Sequence, residues 1–215
     1  MKYAKTVSWL LLFCLLFSCF PFLFSCQKER APELSEVYDR LVFLIERSQE
    51  INGIFFGAGV PVYQEGSTLA TELGVYQKTL YGRSFEYARE SMAPNSVDRL
   101  QQMAEEVYGI DYLKSLYTTL FHGISVEESG SFLQSGFQDG TYGLEQSTEK
   151  AKTVSSVRIY DYASMKIVQP SRATYLNVEI DSYLQADEGK ESARKTVTLA
   201  FIYECDNWYL AAPSY

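Results

Sequence analysis

The chain has 215 residues, 47% hydrophobic and 15% aromatic, and its 19 basic and 27 acidic side chains give a net charge of −8. An acidic chain without a cluster of lysine and arginine is poorly suited to the phosphate backbone of nucleic acids, which requires basic residues on one face. His122 is the only histidine in the sequence, which excludes metal sites built on two histidines. We therefore expect no nucleic-acid partner, no bound metal and no other cofactor.

The first 25 residues have the layout of an export signal. Lys2 and Lys5 precede an apolar stretch over residues 7–24, and polar residues follow from Gln27. The apolar stretch approaches the roughly 20 residues that span a bilayer, although Pro21 weakens a continuous helix. Three outcomes stay open: lipidation after cleavage, an uncleaved membrane anchor, or an ordinary cleaved signal.

The segment Leu23–Cys26 (LFSC) resembles the lipobox of bacterial lipoproteins. In that family the cysteine thiol receives diacylglycerol and the peptide before it is removed. The resemblance implies a lipid at Cys26 and a protein anchored in the cell membrane or the outer membrane, facing the extracytoplasmic side. A second copy at Leu16–Cys19 would leave an apolar stretch in water after cleavage, so Cys26 is the expected site.

Removal of residues 1–25 would take away two lysines and no acidic side chain, leaving 17 basic and 27 acidic residues and a net charge of −10. The remaining 190 residues suit one domain with a sizeable core. We expect a signal peptide over residues 1–25, a tether over 26–33 and a single domain over 34–215. With Cys26 carrying lipid, Cys205 would have no partner for an internal disulfide.

A single amphipathic face predicts the first helix. Apolar residues recur at spacings of three and four from Leu34 to Ser48. Residues 52–74 contain five glycines and Pro61, a composition typical of turns around short elements. Their GAG triplet at 57–59 lacks the further glycine and the lysine of phosphate-binding loops, so we interpret it as a tight turn.

Two further helices are predicted between residues 95 and 122. Asn95 or Ser96 can cap the second helix, whose apolar face extends to about Tyr108. Gly109 interrupts that helix, and Asp111 is the expected cap of the third.

Strands are predicted in the second half of the chain, because the apolar period changes to two from Val154 onward. Residues 174–184 alternate as a half-buried antiparallel strand. Residues 197–205 place their apolar side chains and the Cys205 thiol on one face, which predicts a buried structural thiol. Asp206 and Asn207 are the expected turn into the final strand.

The order of these elements predicts an α+β fold with N-terminal helices packed on a curved antiparallel sheet. Residues 83–89 also alternate as in a strand, whereas residues 129–148, with four glycines, are predicted to be an irregular, mobile rim. A long first helix, two more helices and long strands that end in the hairpin YECDNWYLAAPSY resemble the cone-shaped NTF2-like fold and the related cystatin-like fold. That superfamily includes isomerases, dehydratases, ligand-binding modules and inhibitors of cell-wall hydrolases, so the resemblance does not select a function.

Asp161 and His122 are the candidates for acid–base chemistry. Asp161 shares its predicted strand face with apolar residues, so its carboxylate should point toward the core or a cavity, where it could act as acid or base. The alternative is a slipped register, or an ion pair to Arg158 or Lys166 at a sheet edge. His122 could be a general base, or a cation that stabilises the end of the third helix.

Seventeen tyrosines are the strongest compositional bias of the chain. Their flat apolar rings and polar tips suit an ordinary core, or a face that binds a sugar, a peptide or a protein. Together these features predict a lipid-anchored, non-enzymatic envelope protein that binds a ligand or an envelope protein, peptide or glycan partner. Two alternatives stay open: an enzyme of isomerase or dehydratase type that uses a pocket carboxylate, and a purely structural lipoprotein.

Overall fold

The computed structural model describes residues 30–63, 77–80, 83–89, 94–122, 124–126, 131–133, 136–140, 143–148, 157–187 and 193–214, with the backbone alone at 77–80, 83–86, 122, 124–126 and 131–133. These residues form helices packed on antiparallel sheets, so the predicted α+β class is confirmed. The predicted signal peptide and the predicted lipid-attachment residue Cys26 lie outside the described residues. No helix within the described ranges is long and apolar enough to cross a membrane.

Helix α1 (Leu34–Phe55) confirms the first predicted helix and extends it. Its buried face continues beyond Ser48 through Ile51 to the last residue, so the helix is about two turns longer than predicted. The stretch expected to be irregular from Asn52 therefore begins only after the helix ends. Gly53 is tolerated inside the helix because buried apolar residues, Ile51 and Phe55, precede and follow it.

Helix α2 (Val97–Glu105) begins where the sequence predicts. The Ser96 hydroxyl accepts a hydrogen bond from the backbone N–H of Arg99 at 3.2 Å, which satisfies one free amide of the first turn. The helix ends before Tyr108, because that residue instead forms a parallel bridge with Leu210 in the last strand.

Helix α3 (Ile110–Tyr117) has Gly109 as its N-cap, so the expected cap at Asp111 is wrong. Asp111 lies in the first turn, where its charge still favours the helix N-terminus. A single π-helical turn over Thr118–His122 continues the helix.

Six short strands lie in the described residues between 77 and 148. They are β1 (Gln77–Leu80), β2 (Arg83–Tyr87), β3 (Ile124–Val126), β4 (Ser131–Leu133), β5 (Phe137–Gly140) and β6 (Gly143–Ser147). The middle sheet has the antiparallel order β1-β2-β6-β5, and β3 pairs with β4 separately.

Strand β2 confirms the prediction for residues 83–89, but strands β4, β5 and β6 contradict the irregular rim predicted over residues 129–148. The glycines there mark the turn of a hairpin. Gly140 pairs with Gly143, and Gly143 has a φ of 111°, a conformation that glycine adopts without strain.

The last four strands form the terminal sheet, in the antiparallel order β10-β9-β8-β7. They are β7 (Arg158–Arg172), β8 (Tyr175–Leu184), β9 (Lys195–Glu204) and β10 (Asn207–Leu210). The predicted alternation of β8 is confirmed, with Leu176, Val178 and Ile180 fully buried. Helix α1 contacts both edges of this sheet, at β10 and at β7.

The turn between β9 and β10 is one residue earlier than predicted. Cys205 and Asp206 occupy it with φ values of 48° and 61°, and Asn207 already pairs with Glu204. Two successive left-handed residues match the twist of the flanking strands, as in type I′ hairpins.

The two sheets share one hydrophobic core, and the end of α1 joins them. Phe55 has its ring centroid 6.1 Å from that of Phe137 in the middle sheet and 6.0 Å from that of Phe121 in the π-helical turn. Such tilted and edge-on ring pairs stabilise a core beyond the area that they bury.

Candidate binding groove

Asp161 lies on the outer face of the terminal sheet, and the prediction that it points inward is wrong. Its neighbour Tyr160 is buried instead, and an irregular pairing of β7 with β8 after Asp161 returns Met165 to the core side. The Asp161 carboxylate, 32% exposed, pairs with the Arg194 guanidinium at 3.2 Å. This is the expected alternative of a slipped register, whereas the ion pair is with neither of the two basic residues expected, Arg158 and Lys166.

The surroundings of Asp161 give little support to acid–base chemistry. Asp181 lies directly opposite on β8, and its carboxylate accepts a hydrogen bond from the Thr196 hydroxyl at 2.6 Å. Both carboxylates are thus held by neighbours on a half-exposed polar face, and neither lines the clefts described below.

His122 is the last residue of the π-helical turn that follows α3. Its side chain lies outside the described part of the structure. Both roles considered for it, a general base and a cation at a helix end, stay predictions.

Cys205 is exposed, so the prediction of a buried structural thiol is wrong. The alternation that should have buried it ends at Phe201, because Tyr203 is already 39% exposed and Cys205 belongs to the turn. Its thiol borders the largely apolar cleft that we describe next.

A cleft of about 370 Å³ separates helix α3 from the hairpin of β9 and β10. We call it the hairpin groove, and its lining residues are Glu105, Tyr108, Ile110, Leu113, Lys114, Tyr117, Glu204, Cys205 and Tyr209. A volume of this size is within the range of small-ligand sites, and its walls combine aromatic rings with a few charged groups.

The edge of the terminal sheet positions this groove. The backbone N–H of Gly109 donates to the carbonyl of Leu210 at 2.9 Å, and the N–H of Leu210 donates to the carbonyl of Val107 at 2.8 Å. A side chain at position 109 would collide with the side chain of Ile202. Glycine therefore lets the start of α3 lie directly against the hairpin.

Tyr117 and Glu105 form one wall of the groove. The Tyr117 hydroxyl donates to the Glu105 carboxylate at 2.8 Å, between Oη and Oε1. Partial burial, then the hydrogen bond to Glu105 and the charge of that carboxylate, raises the pKa of Tyr117, since each disfavours the phenolate. Tyr117 therefore presents a neutral hydroxyl at physiological pH.

Glu204, on the hairpin side of the groove, bonds to the start of α3. The backbone N–H of Ile110, at the start of α3, donates to Glu204 Oε2 at 3.1 Å. This bond satisfies a free amide of the first helical turn with a carboxylate, which the helix dipole favours. Ile110 is 57% exposed at the rim, so its apolar surface is accessible beside the aromatic lining of the groove.

Behind the groove lies a closed polar cluster of Ser48, Asn52, Tyr108 and Ser214. The Tyr108 hydroxyl donates to Asn52 Oδ1 at 2.9 Å, and Ser48 Oγ lies 2.9 Å from the same hydroxyl. The Asn52 amide donates to Ser48 Oγ and to the carbonyl of Ser214, each at 3.2 Å. These bonds fasten the end of the chain to α1, so we interpret the polar cluster as structural.

A second cleft, of about 790 Å³, lies between residues 30–34 and the outer half of β7. Its walls are residues 30–34, which lead into α1, and β7 residues such as Met165 and Lys166. Because residues 30–33 of its lining belong to the predicted tether, we regard the hairpin groove as the better candidate site.

The chain matches no protein-family model and no curated protein. Nothing in these comparisons bears on ligand, partner or activity.

Sequence reasoning missed the groove for identifiable reasons. Its residues come from two helices and a hairpin that are separate in sequence, and Gly109 was taken only as a helix breaker. One signal was present: Ile110 lies beside a glycine and precedes Asp111 in a first helical turn, a position that faces water in most helices. An apolar residue there indicates a surface with a partner.

Proposed function

We propose that this chain is a lipid-anchored protein of the cell envelope whose domain binds a partner through the hairpin groove without catalysing a reaction. The anchor rests on the resemblance of Leu23–Cys26 to a lipobox and on the export-signal layout before it. We also propose the NTF2-like or cystatin-like kinship. A long α1 that contacts both edges of an antiparallel meander is the arrangement which that resemblance implies.

The observation that carries the binding function is the exposed apolar rim of the groove. Ile110 is 57% exposed beside a cleft that also presents Tyr117 and Tyr209. Exposed apolar side chains next to aromatic rings are typical of interaction sites, since burial of such surface drives association.

The binding function is tested by photo-crosslinking in the native envelope. A benzophenone amino acid at position 110 should capture one discrete partner, identified by mass spectrometry. The same amino acid in place of Val157, which is 53% exposed on the first residue before β7, is the matched control. An identical set of products at both positions, or none at 110, would contradict the proposal.

The anchor is tested separately by intact mass. The mature protein should begin at Cys26 and carry diacylglycerol, and Cys26→Ser should accumulate at the precursor mass. A wild-type protein with an unmodified, uncleaved N-terminus would show that the anchor proposal is wrong.

A further inference from the structure

The charges of the hairpin groove point to the chemistry of its partner, an inference that rests on the proposed binding function. The groove contains two carboxylates, Glu105 and Glu204, and one ammonium, Lys114. The Lys114 ammonium already pairs with Asp111 at 3.0 Å and is 70% exposed, so it does not neutralise the carboxylates.

In each carboxylate of the groove, one oxygen accepts a hydrogen bond from the chain and the other does not. Glu105 Oε1 accepts from the Tyr117 hydroxyl, and Glu204 Oε2 accepts from the N–H of Ile110. Glu105 Oε2 and Glu204 Oε1 have no hydrogen-bond or ion-pair partner among the described residues. The hydrogen bonds that are made hold the two side chains in place, so the two remaining oxygens are positioned without further ordering.

The aromatic side of the groove already binds a cation within the chain. The Arg40 guanidinium lies 5.6 Å from the ring centroid of Tyr209 and 5.2 Å from that of Phe43. The Tyr117 ring, also in the groove, carries no such cation among the described residues. Tyrosine faces attract ammonium and guanidinium groups through the negative face of the ring.

The apolar part of the groove suits the stem of a basic side chain. Leu113 and Ile110, both on α3, line the groove together with the two carboxylates. Lysine and arginine bury their methylene stems on such surface while the charged head remains among polar groups. A neutral glycan would use the aromatic faces but would gain less from two carboxylate charges than a cationic side chain does.

We infer that the hairpin groove docks a partner-protein segment through a lysine or arginine side chain flanked by apolar residues, with Glu105 and Glu204 as its counter-charges. The complementarity extends to the whole chain, because a net charge of −8 attracts a basic segment from a distance. The apolar flanks of the segment would cover the Ile110 side chain at the rim.

The test uses the full chain in detergent micelles, with a small trifluoromethyl tag on Cys205 as a reporter at the groove and with Cys14, Cys19 and Cys26 changed to serine. Fluorine NMR follows titration with the peptide acetyl-Leu-Arg-Leu-amide. The control peptide carries citrulline, which has the shape of arginine without its charge. We expect a saturable shift with the arginine peptide and about fivefold weaker binding of the citrulline peptide.

The variants Glu105→Gln and Glu204→Gln keep the oxygen that accepts the existing hydrogen bond and remove the charge. Each variant should weaken binding of the arginine peptide about threefold to fivefold. The difference in affinity between the arginine and citrulline peptides should therefore become smaller. Glu46→Gln makes the same charge change on an exposed position of α1, near Tyr162 at the β7 edge of the sheet, and should leave both titrations unchanged.

Three results would overturn the inference. If both peptides bind equally and Ile110→Asp abolishes binding while the Gln variants do not, the groove binds apolar segments without a cation. If N,N′-diacetylchitobiose shifts the reporter and neither peptide does, the ligand is a glycan. In both cases the proposed binding function stands. If no probe shifts the reporter, the cationic segment is wrong, and crosslinking at position 110 decides separately whether the binding function is wrong too.

Discussion

The hairpin groove and the polar cluster behind it contain the same kinds of polar groups but differ in how far those groups are hydrogen-bonded within the chain. In the polar cluster, the hydroxyl of Tyr108 and the amide of Asn52 bond to each other and to two serines, all buried. In the groove, the hydroxyl of Tyr117 has a partner, but the carboxylate that accepts from it keeps a second oxygen. Polar groups that satisfy each other stabilise a fold, whereas polar groups left half satisfied at a surface are available to a ligand.

Asn52→Ala should have the largest effect on stability. It removes the acceptor of the Tyr108 hydroxyl and the donor to Ser48 and Ser214 in a fully buried site. The orphaned groups should lower the free energy of unfolding by about 1–3 kcal/mol, measured by urea denaturation. Asp39→Ala, on an exposed position of the same helix, is the control and should change it by less than about 0.5 kcal/mol. A loss no larger than the control's would mean that the polar cluster does not hold the chain end to α1.

Asp206→Gly should stabilise the hairpin that forms one wall of the groove. Asp206 has a φ of 61°, where a Cβ is unfavourable and glycine is not. The free energy of unfolding should rise by about 0.5–1 kcal/mol. The same substitution at Asp39, within a helix, should lower it, because glycine is a poorer helix former. If glycine changes the free energy of unfolding in the same direction at both positions, the left-handed turn assigned to Asp206 is wrong.

A smaller effect is expected at high pH from Tyr162, a tyrosine in neither the groove nor the polar cluster. Partial burial, followed by the nearby Glu46, Tyr160 and Tyr38 side chains, raises its pKa to about 12. Since its pKa is raised above the ordinary value of 10.0, its contribution to stability is complete below pH 10 and is lost as the pH rises toward about 12. The unfolding midpoint of Tyr162→Phe should therefore fall less steeply than that of the wild type in this window. Parallel curves up to pH 12 would contradict the assignment.

Tyr117→Phe should have the smallest effect on stability and is the counterpart of the first prediction. It removes one hydrogen bond to an exposed carboxylate that water can satisfy instead. The free energy of unfolding should change by less than about 0.5–1 kcal/mol. A cost as large as that of Asn52→Ala would mean that the groove wall is a structural element and not an open site.

Much of the fold follows from periodicity in the sequence. The apolar spacing that predicts α1, and the alternation that predicts β8, each continue long enough to bury one complete face, so local pattern and tertiary packing agree. The hairpin of β5 and β6 was not predicted, because its strands are short and the two glycines at its turn have the composition of a loop.

The site was less accessible to prediction than the fold. The irregular pairing after Asp161 reversed the predicted face of that residue, since a one-residue shift exchanges the two faces of a strand. The turn at Cys205 ended an alternation that seemed continuous in sequence. The groove depends on Gly109 and Leu210 meeting at a sheet edge, a contact between segments about 100 residues apart that no local pattern contains.

The most direct test of the central claim is the alkylation rate of Cys205, whose exposed thiol borders the groove. Mass spectrometry of the peptide that contains this residue can quantify the rate both in intact envelope and in the purified folded protein. If a partner occupies the groove, the rate in the envelope should be several-fold lower, and Ile110→Asp should restore it to that of the purified protein. Equal rates in envelope and purified protein, with no change in the variant, would contradict the claim that the hairpin groove is a binding site.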